Sequence, residues 1–334
     1  MKTAIIGAGR QGKRRAAAIR ESGDEIVWVV DKDIPLARSF AASFNCRATK
    51  DWHEAISDRS VDVVVICTPN NLHARISISA LKSGKHVLVE KPLARNPDEA
   101  LQVLKAAKNS NAKLKCGFNL RYHPALKETK RVFDEGVLGT ILYLRCRYGI
   151  TGRPDYENDW RMKPTISGGG QLMDQGIHVL DLFRWLSGDF TQVFGLTATM
   201  YWKIEPLEDN AFALLRTESG QVALMHVSWT EWKNLFSFEV FGEKGYAKVD
   251  GLGGSYGSER LTVGPKDLSR PFRENVTEFK GEDKSWLEEW RHFVHCIKES
   301  SEYAGNAYDG WAAIRLAYEI YKSSRTGRVV KITW

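Results

Sequence analysis

Residues 3–15, TAIIGAGRQGKRR, constrain the fold of this chain more than any other stretch. A short apolar run breaks into Gly7, Gly9 and Gly12 at the spacing G-x-G-x-x-G, and a helical stretch follows at once. Glycines at the first two positions permit a tight turn and let a phosphate group approach the backbone, and the third lets helix and strand pack closely. The motif alone is weak, because a glycine turn need hold no ligand. Its setting strengthens it: Asp31 ends the second strand about 20 residues on, where a carboxylate can bind ribose hydroxyls.

The same alternation continues to Asn119. Strand-like runs at residues 3–6, 25–30, 62–67, 86–89 and 113–117 are separated by helical stretches at 12–22, 35–44, 72–83 and 98–109. That is the pattern of βαβ units building a parallel sheet. Beyond Asn119 the period changes to two, over residues 140–148, 193–201, 211–217, 222–230 and 236–241, which predicts an antiparallel sheet with one face against helices. Helices are expected at 124–135, in the segment opening at Gly168, and at 286–300 and 308–323, with a last strand at 329–332. The expected fold is α/β: a Rossmann dinucleotide-binding domain over 1–119 and a second α/β domain over 120–334.

A chain of 334 residues that is 43% hydrophobic has the material for two cores. No apolar run approaches the roughly 18 residues of a membrane span, and the chain turns glycine-rich after Ile6 where a signal peptide would stay apolar. A soluble, cytoplasmic protein with no membrane partner is expected. Cys46, Cys67, Cys116, Cys146 and Cys296 form no C-x-x-C pair and are odd in number, so they read as reduced core residues and not as a disulfide framework or zinc knuckle. A net charge of +7 suits an anionic small ligand. Nucleic acid would need a basic stripe, and the dense cluster Arg10 to Arg15 lies inside the glycine motif, so no nucleic-acid partner is expected.

Three further stretches carry chemistry. Thr68, Pro69, Asn70 and His73 follow a strand at the carboxyl edge of the sheet, where ligands of such sheets bind, although Pro and Asn also serve as turn residues. HVLVEKP ends a buried strand in Glu90, Lys91 and Pro92. A lysine there can hydrogen-bond a hydroxyl or carbonyl; from position alone, a surface lysine after a strand is as good a reading. A cis bond before Pro92 is expected, to aim Lys91 from the strand end. Finally, GGGQLMDQGIH, Gly168 to His178, opens a helix that is apolar except for Gln171, Asp174, His178 and Asp181, spaced to share one face. Asp174 and His178 admit two other readings, a satisfied core histidine and a metal pair, but a metal site wants three or four ligands and none is expected.

Taken together and in this order, GAGRQG, TPN, EKP, GFNLRYHP and GGGQLMDQGIHVLD resemble the glucose-fructose oxidoreductase and inositol dehydrogenase superfamily, Gfo/Idh/MocA, over essentially the whole chain. EKP with G-G-G-x-L-x-D-x-G-x-H is far more specific than the glycine loop. The resemblance implies a second domain with a large open, mainly antiparallel sheet, through which members assemble as homodimers or homotetramers. It implies a catalytic constellation of Lys91, Asp174 and His178, among which roles trade within the family. His178 is the expected base, since hydride leaves a carbinol carbon only as the hydroxyl proton leaves and imidazole titrates near working pH. Asp174 would position substrate and Lys91 would stabilise alkoxide character. The implied cofactor contacts are Gly7, Gly9, Arg10, Gln11, Gly12, Asp31, Lys32, Thr68, Pro69, Asn70, His73, Glu90, Lys91, Asn119, Trp160 and Arg161. Substrate contacts would add Arg121 and Tyr122 to the catalytic three.

The implied activity is NAD(P)-dependent hydride transfer to or from a hydroxyl or keto carbon of a sugar, sugar nucleotide or cyclitol. NAD is expected from Asp31, with NADP admitted by Lys32 and Arg38 beside it. Two alternatives stand: a redox-neutral glycosidase- or epimerase-type enzyme with tightly held NAD, and a cofactor-sensing regulator, against which the retention of all three catalytic residues argues.

Overall fold

The structure, a computed structural model, describes residues 1–267 and 273–334. The chain divides into two compact units. The first comprises Met1–Asn119, Thr165–Gly168 and Lys284–Ile314; the second comprises Leu120–Pro164, Gly169–Asp283 and Arg315–Trp334.

In the first unit β1 (Lys2–Ile6), α1 (Arg10–Glu21), β2 (Glu25–Val30), α2 (Ile34–Ala42), β3 (Arg47–Thr49) and α3 (Trp52–Ser57) build one half of a sheet. The other half follows as β4 (Val63–Ile66), α4 (His73–Lys82), β5 (His86–Glu90), α5 (Pro97–Lys108) and β6 (Leu114–Gly117). Strand order is β3-β2-β1-β4-β5-β6, every pair parallel. This doubly wound order reverses direction between β1 and β4, and ligands bind at the carboxyl ends of strands beside such a switch point. Both faces of the sheet are covered, so β4, VVVI, is buried throughout. Helices α2, α3 and α5 start on Asp33, Asp51 and Asn96, whose side chains accept from helix N–H groups. Helix α1 starts on Gly9 with no side-chain cap.

The second unit holds α6 (Pro124–Asp134), β7 (Ile141–Gly149), a π turn (Leu172–Gly176) leading into α8 (Ile177–Ser187), and the strands β8 (Phe190–Ala198), β9 (Asn210–Thr217), β10 (Val222–Ser228), β11 (Leu235–Gly242), β12 (Gly245–Asp250), β13 (Glu259–Pro265) and β14 (Asn275–Phe279). The short α7 (Pro164–Ser167) precedes the π turn; α9 (Ser285–Lys298), α10 (Ala307–Thr326) and β15 (Val330–Lys331) close the chain. Among the described residues nine strands run in the order β14-β13-β12-β11-β7-β10-β9-β8-β15. Every pair is antiparallel except β7 with β10, so the sheet is mainly antiparallel.

The sequence reading places everything after Asn119 in the second domain, whereas Lys284–Ile314 belongs to the first unit. The reason is apolar: Trp290, Phe293 and Val294 of α9 complete the core formed by Ile5, Ala16, Ile19, Val29 and Leu88. The Trp290 indole N–H donates to Asp24 at 2.8 Å. Inside that core the Arg15 guanidinium, fully buried, joins Glu90 and Glu289 at 2.6 Å each. Burial acts to lower the Arg15 pKa, and the two carboxylates overcome it and raise it above its ordinary value.

Candidate functional site

The glycine loop is shaped by contacts that no side chain tolerates. Gly7 has φ +107°, and a Cβ there would lie 2.5 Å from the Cys67 carbonyl oxygen; one on Gly12 would lie 2.0 Å from the Gly7 carbonyl oxygen. Above Gly9 the space is open. An uncapped helix start with open space over its glycine fits a dinucleotide pyrophosphate, which the helix N–H groups and dipole would bind. At the end of β2, Asp31 Oδ2 accepts from the Ala8 N–H at 2.8 Å and Oδ1 from the Asp33 N–H at 3.0 Å. Arg10 and Lys32 are exposed, and Gln11 is partly exposed beside them in the sequence.

At the next two strand ends, Thr68, Pro69, Asn70 and Lys91 are partly exposed, while His73 and Glu90 are buried. The Asn70 amide donates to the Ser167 carbonyl at 2.8 Å. The Lys91–Pro92 bond is cis, as the sequence reading expects. Glu90 pairs with Arg15, so its carboxylate is part of the buried network described above. Asn119 donates to the Ser285 hydroxyl at 2.9 Å.

In the second unit the expected polar stripe divides by role. Gln171 is fully buried and donates to the Ser228 carbonyl at 2.8 Å, and Asp181 is a buried partner of Arg121. Arg121, read from the resemblance as a substrate contact, makes a bidentate pair with Asp181 at 2.7 and 2.6 Å and lies over the Trp185 ring. Its fork is therefore engaged inside the unit. Asp174 and His178 occupy the middle of the stripe, Asp174 partly exposed in the π turn and His178 6% exposed in the first turn of α8. One wide turn re-aims the residues within it, which is why such turns recur at functional sites. Trp160 and Arg161 stack on one another at 4.5 Å, and Arg161 pairs with Asp159. Tyr122 is partly exposed.

Two groups around this helix are absent from the sequence reading. Glu208, buried, accepts from the Gly170 N–H at 3.2 Å, the Leu172 N–H at 2.9 Å and the Tyr321 hydroxyl at 2.8 Å, and so caps the segment that carries Asp174. A Cβ on Gly170 would lie 2.1 Å from the Glu208 carbonyl oxygen, which explains a glycine there. Burial pushes the Glu208 carboxyl up from its ordinary range against these three donors. The second group is tyrosines: Tyr148 and Tyr156 are held in their phenol form first by burial, with Asp174 adding to the effect. Tyr256 accepts from the Gln175 amide at 3.1 Å and packs beside Tyr148. The only sequence signal for Tyr256 is its place in the glycine-rich GGSYG. Among the described residues no three His, Cys, Asp or Glu side chains cluster as a metal ion would require.

A sheet of order 3-2-1-4-5-6 with this glycine loop and a carboxylate on β2 defines a dinucleotide-binding domain. Residues 1–118 match the oxidoreductase family with an NAD-binding Rossmann fold, and residues 126–248 match the GFO/IDH/MocA C-terminal domain. The chain belongs to the Gfo/Idh/MocA family of NAD-binding oxidoreductases. Levoglucosan dehydrogenase of Pseudarthrobacter phenanthrenivorans is 33% identical over 234 residues, 66% of this chain and 59% of that protein, so the match spans less than two thirds of that relative. Inositol 2-dehydrogenase of Rhizobium meliloti is 27% identical over 343 residues, 98% of each chain. A solved structure of levoglucosan dehydrogenase in complex with NADH and L-sorbose has a TM-score of 0.91 and 26% identity, covering 100% of this chain and 99% of that one.

Proposed function

We propose that this oxidoreductase interconverts a secondary hydroxyl and a ketone on a sugar, sugar nucleotide or cyclitol, with Lys91, Asp174 and His178 as its catalytic residues. The observation that carries the reading is a carboxylate and an imidazole on adjoining turns of one glycine-led, Glu208-capped helix. The relatives' names, a levoglucosan and an inositol dehydrogenase, support the substrate class.

Bound at the glycine loop, the nicotinamide dinucleotide supplies a hydride acceptor. The chain's own residues handle the proton and the charge. His178 takes the hydroxyl proton as the carbinol carbon becomes a carbonyl, and returns it in the reverse direction. The Lys91 ammonium stabilises negative charge growing on that oxygen. Asp174 orients the hydroxyl or holds the charge balance about it. A panel of sugars and cyclitols, followed by NADH absorbance, tests the reading.

NAD is the preferred cofactor because Asp31, fixed by two backbone N–H groups, accepts from both ribose hydroxyls and repels a 2′-phosphate. Lys32 and Arg38 are exposed and read as solvated charges. Asp31→Ser is expected to shift the ratio of kcat/KM values from NAD toward NADP by roughly a hundredfold, since juxtaposed like charges cost several kcal/mol. Steady-state kinetics with both cofactors at fixed salt checks it; a wild-type preference for NADP would place Lys32 or Arg38 in control.

The assembly is a homodimer or homotetramer through the open face of the nine-stranded sheet. Phe194, Leu214 and Leu224 stand directly opposite one another on β8, β9 and β10 and are each about half exposed. A contiguous apolar row of this kind marks an interface. The double variant Leu214→Lys, Leu224→Lys is expected to halve the mass seen by light scattering, or to reduce it to the monomer's; an unchanged mass would exclude this face. A cytoplasmic location completes the proposal, supported by five free cysteines. Among the described residues no helix is long and apolar enough to cross a membrane.

A further inference from the structure

The resemblance makes His73 a cofactor contact, but its geometry assigns it other work. The ring is 1% exposed and stands in the first turn of α4. Its Nδ1 lies 2.7 Å from the Pro92 carbonyl oxygen and its Nε2 2.8 Å from the Thr68 carbonyl oxygen. Thr68 belongs to the turn leaving β4, and Pro92 follows Lys91 directly at the end of β5, the neighbouring strand. Both ring nitrogens are thus engaged by backbone, and the two strand ends that frame the reactive lysine meet on one side chain.

A carbonyl oxygen only accepts, so each contact asks the ring for an N–H. A neutral imidazole has one and the imidazolium has two. Burial pushes His73 down from its ordinary value, against the two carbonyls and Glu90, which favour the charged ring, and with Lys91, which disfavours it. The imidazolium donates to both carbonyls, whereas the neutral ring donates to one and only packs beside the other, so both loops are hydrogen-bonded to the ring in its charged form alone.

We propose that His73 is a positioning residue that clasps the ends of β4 and β5 and so holds the Lys91–Pro92 segment where the lysine acts. The proposal rests on the reading that Lys91 takes part in the chemistry. A misplacement of about 1 Å at a reacting group can cost a hundredfold in rate, so the clasp affects turnover without touching the cofactor.

The test uses the full chain and three variants, His73→Leu, His73→Gln and Lys91→Met. His73→Leu is expected to lower kcat by roughly tenfold to a hundredfold, with the Kd for NADH, read by quenching of tryptophan fluorescence, changed by less than about twofold. His73→Gln, whose amide can still donate to one carbonyl, should recover part of the loss. Independently of activity, reductive methylation with labelled formaldehyde gives a Lys91 NMR resonance in cofactor-free protein, identified by its loss in Lys91→Met. That resonance should move in His73→Leu and lie nearer its original place in His73→Gln. Unchanged kcat together with an unmoved Lys91 resonance would overturn the clasp, as would a rise in the Kd for NADH that accounts for the whole loss of kcat/KM. If Lys91→Met keeps full turnover, the catalytic reading of Lys91 fails while the resonance still decides the clasp. Should His73→Leu not fold, His73→Gln and its Lys91 resonance carry the test alone.

Discussion

Replacing His178 with alanine is expected to lower kcat by roughly a hundredfold to ten-thousandfold, the span of general acid-base catalysis, with the affinity for NADH unchanged. The split follows from where the residue sits. His178 belongs to the second unit, on a helix capped by Glu208, while the glycine loop and Asp31 belong to the first. Loss of the imidazole removes a proton acceptor needed only as the carbonyl forms, so kcat and kcat/KM should fall together. Substrate-saturated turnover near wild type would transfer the role of base to Asp174 or Lys91. Fluorescence titration with NADH shows that the cofactor domain is intact.

The second large effect concerns the fold. Arg15→Met leaves Glu90 and Glu289 in the core of the first unit without their cation, and breaking a buried pair costs about 3–5 kcal/mol. For a unit of this size that is a fall in Tm of roughly 10 °C. Burial already pushes the Glu289 carboxyl above its ordinary range against the pull of Arg15 and Lys115, so removal of the cation acts on a group with little solvent to turn to. Replacing Glu289 with Leu in the same chain should restore part of the stability, because an apolar pair of similar volume removes an uncompensated charge. Thermal and urea unfolding read both variants. A loss below about 1 kcal/mol for Arg15→Met would show that the carboxylates find other partners or water.

Elements with strong periodicity were legible in the sequence. The central parallel strands follow from runs of apolar residues that their neighbours bury on every side, as in VVVI of β4, the glycine loop from its spacing, and the long helices from apolar residues recurring along one face. What escaped was short or long-range, together with β12, β13 and β14, three strands at one edge of the second sheet that the sequence reading does not mark. The three-residue β3 and the six-residue α3 carry too few residues for a period to show. The return of α9 to the first unit depends on Trp290 and Phe293 meeting a core built from residues more than 200 positions earlier, which no local pattern records. The same limit hid Arg15 with Glu289, and Glu208 with Gly170.

At the site, motif residues were legible and their division of labour was not. Regular α spacing puts Gln171, Asp174, His178 and Asp181 on one face, but the π turn at Leu172–Gly176 breaks that register. Ser228 takes Gln171 and Arg121 takes Asp181, and Asp174 and His178 lie between them along the stripe. The resemblance assigns Arg121 and His73 to ligands, yet Arg121 bonds to the Asp181 carboxylate and the His73 ring stands against the Thr68 and Pro92 carbonyls.

The most direct test of the central claim is the stoichiometry of cofactor change. Purified protein is mixed with NAD and a panel of sugars, sugar nucleotides and cyclitols, including levoglucosan and myo-inositol, and NADH absorbance is followed beside product analysis. The account predicts that at least one polyol yields a ketone with one NADH formed per molecule oxidised, and with a higher kcat/KM for NAD than for NADP. Substrate consumed with no net NADH would contradict it in favour of a redox-neutral reaction, and tight NADH binding with no substrate turned over at all would contradict catalysis by Lys91, Asp174 and His178.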